Sequence, residues 1–244
     1  MADWVTNAGA AVPTGFAESL QQLVLRRMTH EPVAYITGVR EFYGREFMVT
    51  RGVLIPRPET EGVIEAVPPD VWARRGAGQP VALDIGTGSG CLAITLALEH
   101  PAVRVIATDV SREALSTARE NAQRLGADRV EFVESSLVPA GLPPLDLIVT
   151  NPPYVPARDR ESLSPDVRDF EPAQALFAGE DGLDVIRALL PNALAALKPG
   201  GVLVMEIGAG QADAITALVA EFGLQLITIH PDLQGIPRIV VAAA

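Results

Sequence analysis

From position 81 onward, short apolar runs alternate with longer stretches in which apolar residues return every three or four positions. The runs Val81–Ile85, Val103–Thr108, Val130–Val133, Leu145–Thr150, Val202–Ile207, Leu224–Ile229 and Arg238–Val241 predict strands. The stretches Cys91–Glu99, Arg112–Leu125, Leu183–Leu197 and Gln211–Phe222 predict helices, with Ser111 placed to cap the second and Lys198-Pro199-Gly200-Gly201 to stop the third. Continuously apolar strands separated by helices imply a mainly parallel sheet covered on both faces. A short Pro/Gly loop joins the last two strands, which predicts an antiparallel hairpin at one edge. The fold class expected is therefore α/β, with seven strands.

Before position 81 the pattern is different. Phe16, Leu20, Leu23, Val24 and Met28 lie at helical spacing, so Phe16–Met28 predicts an amphipathic helix. Glu41–Val49 predicts two short strands about a turn at Gly44. The loop Ile55-Pro56-Arg57-Pro58-Glu59-Thr60-Glu61 then feeds a helix to about Val67. The division expected is 1–67 for this N-terminal part, a Gly/Pro/Arg linker over 68–80, and a main domain over 81–244. Met1 to Gly15, rich in small residues, is expected to be mobile.

Composition narrows the function classes. The chain has 244 residues, 48% of them hydrophobic, enough for one large domain with a short appendage. No apolar run reaches the roughly 18–20 residues of a membrane span, and Met1–Leu20 carries acids unlike a secretion signal. Cys91 is the single cysteine, so no internal disulfide can form, and a reducing, cytoplasmic setting is expected. His30, His100 and His230 stand apart, so no metal site is expected. The net charge of −11 disfavours direct binding to a phosphate backbone. The arginines at 26, 27, 40, 45, 51 and 57 are read as a solvated face that balances the acids.

Two loops carry the chemistry. Asp84-Ile85-Gly86-Thr87-Gly88-Ser89-Gly90 turns from the first strand of the main domain into its first helix, where ligands bind in open α/β sheets. Its Gly-x-Gly-x-Gly spacing differs from the dinucleotide fingerprint. Asp84 suits a cationic amino-acid group and would repel a pyrophosphate. Asp109, ending the next strand, can accept from two ribose hydroxyls. The second loop, Asn151-Pro152-Pro153-Tyr154, follows the strand Leu145–Thr150. The Asn151 side-chain oxygen and the Pro152 carbonyl can accept the two N–H bonds of an NH2 group and favour positive charge on its nitrogen. The prolines fix φ, and Tyr154 offers a flat face to a planar substrate.

The glycine loop with Asp84 and Asp109 resembles that of the Class I S-adenosylmethionine-dependent methyltransferases, and the fold so implied is Rossmann-like. The Asn-Pro-Pro-Tyr loop occurs in several amino-methyltransferase groups, among them DNA adenine (N6) and RNA guanine (N2) enzymes. Discrimination comes from further blocks: Glu31–Gly38, Glu41–Gly44, Ile55–Glu61, Phe170-Glu171-Pro172, Gly179–Leu183 and Glu206–Gln211. With these, the chain from about Arg26 to Ala242 resembles the protein-(glutamine-N5) methyltransferases of peptide chain release factors. The resemblance implies S-adenosyl-L-methionine as cofactor, held by Asp84, Gly86, Thr87, Gly88, Gly90, Asp109, Ser136 and Asn151. Ser136 stands where the family usually has Asp. It further implies catalysis by Asn151, Pro152, Pro153 and Tyr154, with Arg57, Glu59, Glu171 and Tyr154 on the substrate side. The substrate implied is the glutamine of a Gly-Gly-Gln motif. The family usually opens with a longer helical domain, whereas about one helix precedes Glu31 here. Competing readings are a nucleic-acid amino-methyltransferase and a non-catalytic S-adenosylmethionine-binding module.

Overall fold

Burial on both faces explains why seven apolar runs become strands of one sheet. In the computed structural model, which describes residues 14–72 and 78–244, their side chains alternate between two cores. Ala82, Val105, Ala107, Leu147, Val149, Val202 and Val204 face one side, against α4 (Cys91–Glu99). Leu83, Ile106, Ile148, Leu203 and Met205 face the other, against α7 (Asp184–Ala196) and α8 (Ala212–Glu221). The strands are β3 (Val81–Ile85), β4 (Arg104–Asp109), β5 (Glu131–Glu134), β6 (Leu145–Thr150), β7 (Leu197–Glu206), β8 (Gln225–Pro231) and β9 (Pro237–Ala243). Their order is β5-β4-β3-β6-β7-β9-β8. The first five are parallel, and β9 runs antiparallel between β7 and β8. The sheet is the mostly parallel, seven-stranded one expected, with its antiparallel C-terminal pair.

The order reverses at β3. Its successor β4 lies on one side and β6 on the other, so a crevice opens beyond the carboxyl ends of β3 and β6. The two ends are pinned together: Ile85 is in register with Thr150, whose hydroxyl donates to the Ile85 carbonyl at 2.8 Å.

The N-terminal part comprises α1 (Phe16–Met28), α2 (Val33–Thr37), the hairpin β1 (Val39–Phe42) and β2 (Arg45–Met48), a 3-10 turn at Pro58–Thr60 and α3 (Glu61–Glu65). Phe42 and Phe47 are buried and meet edge to face at 6.0 Å. With Val63 and Ile64 they join the core that covers β3 and β6. Asn121, fully buried on α5 (Arg112–Leu125), binds the hairpin as a neighbouring strand would. Its Oδ1 accepts from Met48 N at 2.7 Å and its Nδ2 donates to Met48 O at 2.9 Å. The same Nδ2 reaches Ser89 O at 2.9 Å, tying hairpin to glycine loop. By contrast, α1 buries none of its residues, and Phe16, Leu20, Leu23, Val24 and Met28 are exposed.

Differences from the sequence reading are local. Lys198–Gly201, expected only to stop a helix, is extended and belongs to β7, because Gly200 N and Gly201 O bond to Ala244. Between Pro152 and Gly182 lie two 3-10 turns, at Ala157–Ser162 and Ala173–Ala175, and α6 (Pro165–Arg168), too short for any periodicity. Residues 1–13, expected to be mobile, and 73–77, inside the expected linker, lie outside the described residues. No helix among the described residues is long and apolar enough to cross a membrane.

Candidate active site

Beyond β3 the chain turns through Gly86, Gly88 and Gly90, at φ of 72°, 55° and 85°. A Cβ on Gly86 or Gly88 would meet nothing within 4 Å, so both open onto free space. At Gly90 a Cβ would come within 2.8 Å of Ile94 Cδ1 and 3.1 Å of Ala118 Cβ; that glycine permits close packing of α4 on α5. Gly86 N and Thr87 N both donate to Thr108 O on β4. At the end of β4, Asp109 accepts from Gly88 N through Oδ2 and from Ser111 N through Oδ1, both at 2.9 Å.

A cavity of about 200 Å³ lies over these strand ends. Gly86, Gly88, Asp109, Ser136, Asn151, Pro152 and Pro153 line it, together with Gly52–Leu54 and Pro172, Gln174 and Ala175. Asp109 is the one charged side chain among the described lining residues. A largely apolar, glycine-floored cavity with a single carboxylate fits a cationic ligand bearing hydroxyls and gives no cationic partner to a phosphate among the described lining residues. S-adenosylmethionine has that character: Asp109 would hold the ribose hydroxyls, while Gly86 and Gly88 allow close approach.

Asp84, Thr87 and Gly90 do not line this cavity. Asp84 is fully buried beneath the loop, where its Oδ2 accepts from Thr87 Oγ1 at 2.6 Å and from Ala93 N at 3.1 Å. Burial pushes its carboxyl up to about 7, against the two hydrogen bonds that favour the charged form. Cys91 is buried on α4, its thiol pushed up to about 12 by the same desolvation, so it is an apolar core residue.

The asparagine loop is buttressed from behind. Asn151 Nδ2 donates to Thr60 Oγ1 at 3.0 Å; Thr60 Oγ1 donates to Glu206 Oε2 at 2.6 Å; Tyr154 OH donates to Glu206 Oε1 at 2.9 Å. Glu206 is buried, and desolvation raises its pKa although both hydroxyls oppose this. Tyr154 is likewise raised, first by burial and then by the charge of Glu206. Gln211 Nε2 donates to the Tyr154 carbonyl at 3.1 Å, and its Oε1 accepts from Gly208 N at 2.8 Å.

Arg57, Glu59, Glu171 and Tyr154 are not on the cavity wall. Arg57 pairs with Glu171 at 2.5 Å, and Glu171 also accepts from Ile55 N at 3.2 Å. The pair ties the Pro/Arg loop to the segment after the asparagine loop. Burial still raises Glu171, outweighing its arginine partner. Glu59 lines a separate groove of about 590 Å³ with Glu65, Asp232 and Arg238. Thr60 and Glu206 stood within sequence blocks already singled out, but their contact spans 146 positions and no spacing reveals it. No group of His, Cys, Asp and Glu that could hold a metal occurs among the described residues.

Sheet order, glycine loop and cavity together define a Rossmann-like methyltransferase. The chain matches the Methyltransferase small domain over residues 74–164 and the PrmC N-terminal domain over residues 1–38. It is 47% identical to the release factor glutamine methyltransferase of Koribacter versatilis, over 90% of this chain and 77% of that one. With the Neisseria gonorrhoeae protein of the same name, identity is 45% over 97% and 85%. A methyltransferase structure from Pyrococcus furiosus shares the fold at TM-score 0.58 and 19% identity, covering 91% and 96%. The ribosomal protein L11 methylase of Lactobacillus delbrueckii subsp. bulgaricus does so at TM-score 0.53 and 22% identity, covering 80% and 82%. The chain belongs to the release factor glutamine methyltransferase family.

Proposed function

We infer that this protein transfers a methyl group from S-adenosyl-L-methionine to the side-chain amide nitrogen of a glutamine in peptide chain release factors, the glutamine of their Gly-Gly-Gln motif. The observation that carries this reading is the shared wall: Asn151, Pro152 and Pro153 border the same cavity as Gly86, Gly88 and Asp109. When bound, the cofactor supplies a methyl group already activated on a sulfonium. An amide nitrogen is a weak nucleophile because its lone pair is delocalised, so the work left to the chain is orientation and charge.

In this reading Asn151 Oδ1 and the Pro152 carbonyl accept the two N–H bonds of the glutamine amide. Their dipoles favour the positive charge that develops on nitrogen as the N–C bond forms and the S–C bond breaks. The methylated nitrogen then gives a proton to water, because in that state it is strongly acidic. Pro152 and Pro153 hold the acceptors by fixing φ. Tyr154 contributes its ring face from a position set by Glu206 and Gln211. Ser136 on the cavity wall accepts from the adenine amino group, and Asp84 with Thr87 and Gly90 shapes the loop from beneath. Arg57 and Glu171 keep the substrate side of the loop in place. A reducing, cytoplasmic setting accords with this substrate and with the single, buried Cys91.

The test is methyl transfer from labelled cofactor to purified release factor, with peptide mapping of the product. Label on the Gly-Gly-Gln glutamine is the expected outcome. Label on another residue, or transfer to nucleic acid alone, would overturn the assignment.

A further inference from the structure

Asn151 can serve as an acceptor only if its carboxamide is turned the right way, and nothing in the asparagine itself decides that. The two ends of the group are nearly isosteric, so orientation is set by what each end meets. Behind the loop, Glu206 is a buried carboxylate lying between two hydroxyls. The two hydroxyls at its oxygens favour the ionised form against desolvation; in that form Glu206 accepts only, and both Thr60 and Tyr154 donate to it. Having given its one proton to Glu206, Thr60 presents only lone pairs to its other neighbour. That neighbour must then offer a donor, which is the Nδ2 end of Asn151, 3.0 Å away. The carbonyl end is thereby turned away from Thr60.

We propose that Thr60 and Glu206 are positioning residues, a relay that fixes the Asn151 carboxamide with its oxygen available to the substrate amide. This deepens the methyltransferase reading above and rests on it. The relay joins the 3-10 turn at Pro58–Thr60, the end of β7 and the asparagine loop, three elements that meet only in the folded chain. It also gives Thr60 a task that its neighbours in the Pro/Arg loop do not share: Arg57 bonds to Glu171, and Glu61 accepts from Tyr43 N.

Thr60→Val keeps the shape and removes the hydroxyl; Thr60→Ser keeps the hydroxyl. With wild type, Asn151→Ala and the double variant Thr60→Val/Asn151→Ala, they form one series. Single-turnover transfer at saturating cofactor and release factor should fall about 10²-fold in Thr60→Val, the scale of a misplaced reacting group. Cofactor affinity by calorimetry should stay within about twofold, and Thr60→Ser should return most of the rate. Because Thr60 acts through Asn151, the double variant should be no slower than Asn151→Ala alone. The Asn151 side-chain amide signal in a ¹⁵N–¹H spectrum should exchange slowly with water in wild type and rapidly in Thr60→Val. A wild-type rate in Thr60→Val, or additive losses in the double variant, would overturn the relay. If wild type transfers nothing to release factor, the functional reading fails, and the amide spectra still decide the relay. Should the valine variant not fold, Thr60→Ala carries the same comparison.

Discussion

Asp84 lies fully buried beneath the glycine loop with one carboxylate oxygen bonded twice and the other, Oδ1, without a hydrogen-bond partner. Its ordinary value is 3.8, and burial raises it to about 7 in the folded chain. Between those values the folded state binds more protons than the unfolded one. The contribution of Asp84 to stability is therefore greatest below the unfolded value and is lost as pH rises toward 7. Asp84→Asn keeps an oxygen for Thr87 and Ala93 and cannot ionise, so it should remove that decline. Denaturation midpoints of both proteins across the window check this; parallel slopes would refute it. The sequence places an acid two residues before Gly86, and a ligand contact is the natural reading. In the folded chain Asp84 lies buried and off the cavity wall, a placement the sequence does not show because the period of a strand fixes which side Asp84 faces only once the sheet exists. Asp109 and Asn151, at strand ends, were legible because a strand end projects into the crevice whichever face is buried.

Elements behave differently from residues. The strands and long helices follow from apolar period, and the sheet they build was readable almost entirely. The segment from Pro152 to Gly182 was not, because its short turns begin at Pro156, Pro165 and Pro172 and are fixed by contacts. Gly182 is one of those contacts. It has φ of 80°, and a Cβ there would strike the Tyr154 carbonyl and come 3.0 Å from Pro156 N. Gly182→Ala should therefore displace the asparagine loop. The expected result is lower stability by about 1–3 kcal/mol and a methyl-transfer rate reduced about tenfold or more. Gly210→Ala is the control: its φ is 81°, with nothing within 4 Å of the added carbon. It should lose stability and keep its rate in single-turnover assays. Equal rates in the two variants would mean the Tyr154 backbone tolerates displacement.

Across the whole molecule, four of the six sequence blocks that set this family apart turn out to be scattered supports for one loop. Ile55–Glu61 supplies Thr60 and Arg57, Phe170–Pro172 supplies Glu171, Gly179–Leu183 supplies Gly182, and Glu206–Gln211 supplies Glu206 and Gln211. Their presence in the chain was visible; their convergence was not, since it depends on parallel crossovers that bring distant segments to one end of the sheet. The position of β9 has a further bearing, on how the chain comes to be folded at all. A ribosome releases β8 before β9, yet β9 is the strand that joins β8 to β7. Until residues 237–243 emerge, β7 has an open, largely apolar edge and β8 has nothing to pair with. During synthesis, then, the nascent chain carries an unsatisfied strand edge of the kind that recruits other chains. A protein ended before Pro237 should remain in that state, self-associating in sedimentation velocity and cut readily by protease. A monodisperse, protease-resistant fragment would show that β8 can cap β7 unaided.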